Sequence, residues 1–331
     1  MRALLCREPS GIDGLELCEL PVPEPGPGEI RIAVTAAGVN FADLLIVRGT
    51  YQERPTPPFV PGFEVAGVVD ALGPGVPGPP PGTRVLAVLD HGGYAEYAVA
   101  RTQDVVPIPE ILDDRTAAAL PVVYGTALGG LAWRGRLGPG ETLLVHGAAG
   151  GVGLAAVEVG KAMGARVIAT ARGAERLAIA REHGADLLFD SGTEDLHRVL
   201  RAATGGRGVD VVFDPVGGKL FEASLRAIAW EGRIVVVGFA SGEIPKIPAN
   251  ILLVKNCDVA GFYWGSYRRH DPARIKAGFE RLFAWYETGR ICPLVSETFP
   301  LDAAREALRR LERRLATGKL VVEVRPGEPK G

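Results

Sequence analysis

The sequence predicts an α/β protein of two domains, one β-rich and one built on a doubly wound parallel sheet, and three observations carry that expectation. The first is a short apolar strand, Thr142–Val145, that breaks at Gly147-Ala-Ala-Gly-Gly-Val-Gly153. It resumes as a helix with apolar spacing at Val152, Ala155, Ala156, Val159 and Met163. The second is a regular alternation of strands and helical segments from about residue 122 to 262, the pattern of β-α-β units. The third is a first stretch, to about residue 120, of short strands punctuated by Pro and Gly, with prolines crowded into 21–27, 55–61 and 74–81.

In chain order, Met1-Arg-Ala-Leu-Leu-Cys6 opens directly on a strand-like run, and Ile30–Ala36 and Glu64–Val69 alternate cleanly between apolar and polar. Thr83–Val88 and Tyr94–Val99 complete the β-rich part. The parallel sheet is expected from Thr142–Val145, Arg166–Thr170, Leu187–Phe189, Val209–Phe213, Ile234–Val237 and Asp258–Phe262. Helices are expected at Pro272–Tyr286 and Asp302–Leu315, a closing strand at Leu320–Val324, and a disordered polar tail over 326–331.

Composition narrows the function classes. A chain of 331 residues, 47% hydrophobic and 23% charged, is that of an ordinary soluble globular protein of about two domains. The net charge is −2, and the one basic cluster, Arg309–Arg314, shares its helix with Glu306 and Glu312, which argues against nucleic-acid and membrane-surface partners. No apolar run approaches the ~20 residues of a membrane span, and no secretory leader is expected. Cys6, Cys18, Cys257 and Cys292 are scattered without a C-x-x-C pair, so reduced thiols in a cytoplasmic protein are expected.

The small-residue turn carries the first functional expectation. Without Cβ atoms the backbone can approach a phosphate closely, and the following helix start offers free N–H groups and the positive end of its dipole. The spacing of Ala148, Gly150 and Gly153 is that of a dinucleotide fingerprint with Ala at its first position. Ala149, Gly150, Gly151 and Val152 are therefore candidate pyrophosphate contacts. The next strand ends Ile168-Ala-Thr-Ala-Arg172 with no Asp or Glu at its tip, where a ribose-binding carboxylate would favour NAD. If 174–183 begins a helix, Arg172 and Arg176 can converge on a 2′-phosphate, which predicts NADPH. Their alternative role is as solvated arginines beside Glu175.

Several separated motifs then resemble, over nearly the whole chain, the zinc-free quinone oxidoreductase branch of the medium-chain dehydrogenase/reductase superfamily. They are Pro21-Val-Pro-Glu-Pro-Gly-Pro-Gly-Glu29, Ala36-Ala-Gly-Val-Asn-Phe-Ala-Asp43, Pro61-Gly-Phe-Glu-Val-Ala-Gly-Val-Val69, Gly93-Tyr-Ala-Glu-Tyr97 and Ala118-Ala-Leu-Pro121. The glycine turn, Gly205-Gly-Arg-Gly-Val-Asp-Val-Val-Phe-Asp214 and Gly318-Lys-Leu-Val321 complete the set. The resemblance implies a GroES-like catalytic domain from 1–121 and 265–331, a Rossmann domain over 122–264, an active site in the cleft between them, and a homodimer paired through Asp258–Phe262.

It further implies that the nicotinamide and substrate lie near Asn40, Asp43, Tyr51 and Thr126. Asn40 can donate and accept hydrogen bonds, or serve as a turn residue; Asp43 can act in catalysis or cap a helix beginning at 42–45. Tyr51 can deliver a proton or pack on the Pro-rich loop, and Thr126 can meet the nicotinamide or open a helix. Many relatives carry a Tyr two residues after the Asp; here Leu45 makes the pocket more apolar. By the same resemblance Val216, Gly238, Ala240 and Phe262 line the cofactor, Arg314 reaches it or is an exposed helix charge, and Arg176 stands where relatives keep a phosphate-binding Lys. The aromatic segment Tyr263–His270 is either a wall or lid of the site or part of a subunit interface. Zinc relatives carry Cys and His where this chain has Asn40 and Phe63, so metal-free chemistry is expected. The implied activity is NADPH-dependent hydride transfer to a quinone or conjugated carbonyl. An enoyl-thioester or 2-alkenal reductase, and a regulatory or structural cofactor-binding protein, are the alternatives.

Overall fold

The computed structural model describes residues 1–325, and all counts and absences below refer to these residues; the expected disorder of 326–331 lies outside them. The chain divides into two units, Met1–Val122 together with the segment from Pro293 onward, and Val123–Cys292.

The first unit opens with the antiparallel pair β1 (Arg2–Cys6) and β2 (Leu15–Glu19), followed by the long strand β3 (Glu29–Val39) and helix α1 (Phe41–Val47). Strands β4 (Glu64–Leu72), β5 (Arg84–Val88), β6 (Tyr97–Arg101) and β7 (Val105–Pro107) and helix α2 (Asp114–Ala119) follow. Tyr94 was expected to start a strand, but β6 begins at Tyr97, because 94–96 bond instead to β1, Tyr94 O accepting the Leu4 N–H and Arg2 O accepting the Glu96 N–H. Helix α3 (Pro121–Gly129) then leads into the second unit.

There, strands alternate with helices: β8 (Thr142–His146), α4 (Gly151–Ala162), β9 (Arg166–Ala171), α5 (Ala174–Glu182), β10 (Leu187–Asp190), α6 (Leu196–Ala203), β11 (Val209–Asp214), α7 (Gly218–Ala227), β12 (Ile228–Val236), α8 (Ala249–Lys255) and β13 (Asp258–Gly261). The six strands form one parallel sheet in the order β10-β9-β8-β11-β12-β13. Leu143–Val145 and Val211–Phe213 are completely buried, which is why these central strands read as unbroken apolar runs. The chain moves outward in one direction from β8 and in the other from β11, so the point where the order reverses lies between these two strands.

Helices α9 (Trp264–His270) and α10 (Pro272–Glu287) close the second unit. Residues 265–292 therefore cluster with the second unit instead of with the first, where the resemblance had put them. The amphipathic face of α10 buries Ile275, Phe279 and Leu282, and the Phe279 ring meets Trp264 edge-on at 6.2 Å. The chain returns to the first unit as β14 (Val295–Pro300), α11 (Ala304–Glu312) and β15 (Lys319–Glu323). There β3 carries β4 on one edge and shares the other between β6 and β15. The β15–β3 register sets Leu320 opposite Val39, which brings Lys319 beside Asn40.

Candidate functional site

In the second unit β8 ends at His146, and Gly147 turns the chain with φ +61°, a conformation that favours glycine. The tight turn is thus made one residue before Ala148, which has no such demand and sits fully buried, its N–H donating to Thr170 O at 3.0 Å. This is why Ala is accommodated at the first fingerprint position. A Cβ on Gly153 would lie 2.2 Å from Gly147 O and 3.0 Å from Ala148 Cα, so the start of α4 is packed directly on the turn. The first turn of α4 has Gly150 as its N-cap and no side-chain cap, leaving the N–H groups of Gly151 and Val152 as donors for an anion. Gly150, Gly151 and Val152 are partly exposed, while Ala149 is buried.

The loops after β11 and β12 are laced together beside this turn. Asp214 Oδ1 accepts the N–H groups of Val216 and Gly217 at 2.8 and 2.9 Å. Pro215 O accepts the Ala240 N–H at 3.0 Å, and Val216 O accepts the Ser241 N–H and hydroxyl. A Cβ on Gly238 would touch Pro215 O at 3.4 Å, and one on Gly147 would touch Val216 Cγ2 at 3.4 Å. Val216, Gly238, Ala240 and the glycine turn therefore gather at the carboxyl ends of three adjacent strands, where open α/β sheets bind ligands. Beneath them lies a residue that sequence reasoning passed over. His146 is fully buried, with its ring nitrogens 2.8 Å from Thr170 Oγ1 and 2.7 Å from Ser224 Oγ. Burial pushes its pKa down, so it sits as a neutral brace between β8, β9 and α7.

Arg172 is exposed just past β9, and Arg176 is half-buried in the first turn of α5. The expectation of no carboxylate at the tip of β9 needs one addition. Asp190, at the end of the neighbouring β10, accepts the Gly173 N–H at 3.1 Å and the Gly192 N–H at 2.8 Å. Its distance along the chain hid it.

Thr126 lies on α3 and is 8% exposed. Phe262 does not present its ring to a ligand: it is buried against Trp133 and Tyr267, with ring centroids 6.0 and 5.5 Å away. In the segment 263–270, α9 buries Trp264 against Phe279, while Tyr267 is half-buried, 4.9 Å from Trp133.

In the first unit Asn40 is 4% exposed and committed to internal partners. Its Nδ2 donates to Glu64 Oε1 at 2.7 Å, and its Oδ1 accepts from Lys319 Nζ at 2.8 Å. Its Nδ2 also lies 3.5 Å from Gly38 O, and its side chain takes part with the Asp43 main chain in the capping box that opens α1. Lys319 also donates to Val39 O and to Glu64 Oε1, and Glu64 Oε2 accepts the Val122 N–H at 2.8 Å. Neither Glu64 nor Lys319 was singled out from sequence, although both lie in the motifs that carry the resemblance.

Asp43 is corrected from a catalytic to a positioning group. It is completely buried, its Oδ2 accepts the Tyr94 hydroxyl at 2.7 Å and the Asn40 N–H at 2.7 Å, and its Oδ1 has no partner. Burial raises its pKa to about 7, against the lowering effect of Tyr94, the Asn40 N–H and Lys319. The helix-capping alternative is thus the one realised, with Asp43 reaching back to the residue that starts α1. Tyr51 is half-buried, its ring tilted on Phe63 at 5.4 Å. Arg314 is exposed, just past α11, in a left-handed conformation with φ +58°.

The donor set at the zinc-ligand positions does not suit a metal, because Phe63 has no lone pair and Asn40 is engaged by Glu64 and Lys319. Among the described residues no three His, Cys, Asp or Glu side chains converge to hold an ion, and exposed His91 lies beside Phe59.

Comparison with known proteins adds the following. Residues 26–110 match the family described as "Alcohol dehydrogenase GroES-like domain", and residues 151–283 that described as "Zinc-binding dehydrogenase". A quinone oxidoreductase-like protein 2 homolog of Nematostella vectensis is 42% identical over 303 residues, covering 91% of this chain and 83% of the relative. The crystal structure of the quinone oxidoreductase from Thermus thermophilus, described with its NADPH complex, is 36% identical with a TM-score of 0.84, covering 98% of this chain and 100% of that one. A 2-haloacrylate reductase structure is 31% identical with a TM-score of 0.87, covering 98% and 100%.

Proposed function

The chain belongs to the quinone oxidoreductase branch of the medium-chain dehydrogenases/reductases, and from that membership we propose that it reduces a quinone or related conjugated carbonyl with NADPH and without a metal. The observation that carries the cofactor assignment is the glycine cradle. Its turn is made at Gly147, its helix start is pressed on that turn through Gly153, and the N–H groups of α4's first turn carry no side-chain cap.

Bound NADPH supplies the hydride. Ala149, Gly150, Gly151 and Val152 hold its pyrophosphate, Arg172 and Arg176 its 2′-phosphate, and Val216, Gly238 and Ala240 flank its ribose and carboxamide. Thr126 and Asn40 orient the nicotinamide end, and Arg314 adds a charge toward the cofactor. Tyr51 supplies a proton where the acceptor is an enone; a quinone needs chiefly orientation and charge stabilisation. Leu45 keeps the substrate surface apolar. The likeness to a 2-haloacrylate reductase favours one second reading, reduction of an activated carbon–carbon double bond in an enal or enoyl thioester. The different-class alternative is a cofactor-binding protein without turnover. Position β13 at the sheet edge and the exposed Leu253 and Val254 on the preceding α8 support a homodimer through that edge.

Scanning NADPH oxidation against quinones, enals, acyl-CoA thioesters and simple alcohols tests the reading. Turnover is expected with the quinones or enals, unchanged by chelation. Alcohol oxidation at comparable kcat/KM, or stoichiometric zinc whose removal abolishes and whose return restores activity, would sink it, and NADPH binding without turnover of any acceptor would favour the regulatory alternative.

The phosphate assignment has its own test. Hydrogen bonds to a charged group contribute roughly 1.5–3 kcal/mol, the lower end at an open site. Arg176→Ala is therefore expected to weaken NADPH binding about tenfold, since 1.4 kcal/mol is a factor of ten, and to leave NADH binding nearly unchanged. Equal losses for the two cofactors would show that the arginine supports the fold instead.

A further inference from the structure

The second unit holds one buried carboxylate to which the cofactor reading gives no role. Glu158 lies two turns into α4, beyond the glycine cradle, and is 4% exposed. Its Oε2 accepts the Tyr124 hydroxyl at 2.6 Å and the main-chain N–H of Cys292 at 3.0 Å, while Oε1 faces His183 Nδ1. Tyr124 sits on α3, two residues before Thr126. His183 closes α5, whose first turn carries Arg176, and Cys292 is the last residue of the unit.

The helices differ in what else fixes them. Helices α4 and α5 each follow a strand of the sheet after a short turn, so ladder hydrogen bonds determine where they begin. Helix α3 has no strand of this sheet before it. Its placement rests on side chains: a Cβ on Gly125 would fall 2.6 Å from the Trp264 indole, and Tyr124 is 3% exposed and bonded to Glu158. Burial and the Glu158 charge hold the Tyr124 phenol well above its ordinary pKa, so it remains a donor to a carboxylate, a charge-assisted bond.

We propose that Glu158 is a positioning residue of the cofactor site, tying α3 with Thr126 to the helix of the glycine cradle and to the end of α5. The inference rests on the reading of this unit as the cofactor site. When a binding-competent arrangement is only fractionally populated, the apparent affinity falls by that fraction, so losing the tie weakens cofactor binding without removing any group that touches the cofactor.

Glu158→Gln can keep all three contacts, its Oε1 accepting from Tyr124 and Cys292 and its Nε2 donating to His183 Nδ1 in the tautomer that leaves that nitrogen an acceptor; Glu158→Leu keeps none. NADPH and NADH are titrated by nicotinamide fluorescence against both variants, with amide exchange followed across residues 123–129. The Leu variant is expected to raise Kd for both cofactors by about tenfold with faster exchange in that segment, and the Gln variant to stay within about threefold of wild type. A common factor for both cofactors separates this effect from that of Arg176, which concerns the phosphate alone. Should the Leu variant not fold, Tyr124→Phe removes only the hydroxyl and is expected to raise both Kd values about threefold. A folded Leu or Phe variant that binds both cofactors as wild type does, or a Gln variant as weak as Leu, overturns the proposal. Wild-type protein that binds neither cofactor overturns the cofactor reading and this inference together.

Discussion

Lys319→Met is expected to destabilise the protein by roughly 3–5 kcal/mol, because it removes one partner of a buried ion pair and leaves the other uncompensated. Lys319 and Glu64 are 4% and 0% exposed, with Nζ 2.7 Å from Oε1, and all three ammonium donors are used, on Val39 O, Asn40 Oδ1 and Glu64 Oε1. Methionine nearly fills the volume of the lysine stem, so the loss reports the charge and hydrogen bonds and not a cavity. Glu64 would keep the Asn40 amide and the Val122 N–H, which solvate the carboxylate only in part. Replacing both residues, Lys319→Met with Glu64→Gln, takes the uncompensated charge away and is expected to recover most of the loss. Urea unfolding of wild type, both single variants and the double variant gives the coupling energy directly. A single variant within about 1 kcal/mol of wild type would show that the pair is not the anchor its burial indicates.

That pair also marks the limit of what could be read from the chain. The central strands of the parallel sheet were legible because burial on both faces writes them as short apolar runs, and Val211–Phe213 is wholly buried as such a run requires. The glycine cradle was legible because only small residues tolerate its close contacts. The Lys319–Glu64 pair was not, since its members lie 255 residues apart and each looks locally like an ordinary strand charge. Asp43 illustrates a subtler loss. Its place three residues after Asn40 fits both a helix cap and a catalytic acid; the cap is made to the Asn40 N–H, and the Tyr94 hydroxyl, 51 residues away, meets the same oxygen. Phe262 was placed against the cofactor, but Trp133, far upstream, packs on its ring and helps to bury it. Amphipathic α10 announced that it packs on something without saying on what, and so was given to the other unit. In each case local chemistry was readable and the partner across the chain was not.

Asp43 supplies the second large effect, a stability that falls between about pH 4 and pH 7. Burial raises its folded-state pKa to about 7, whereas an unfolded aspartate titrates near ~3.9. The folded protein therefore holds this proton more tightly than the unfolded chain does. The stabilisation is fully present below the unfolded value, is lost as pH rises through the folded value, and levels off above it. Three pH units at 1.36 kcal/mol each set its size at about 4 kcal/mol, an upper figure for one group. Asp43→Asn cannot ionise, yet its Oδ1 can take the place of the present Oδ2 and accept the Tyr94 hydroxyl and the Asn40 N–H. Its amide nitrogen then occupies the position of Oδ1, which has no partner in the native protein either. The variant is thus expected to gain on wild type by several kcal/mol between pH 4 and pH 8, with a flatter stability profile. Denaturant unfolding of both proteins at half-unit pH intervals measures the difference. A gap between the two curves that stays constant across that window would mean that Asp43 is ionised in the folded protein throughout, its charge held by Tyr94, the Asn40 N–H and Lys319 against the cost of burial.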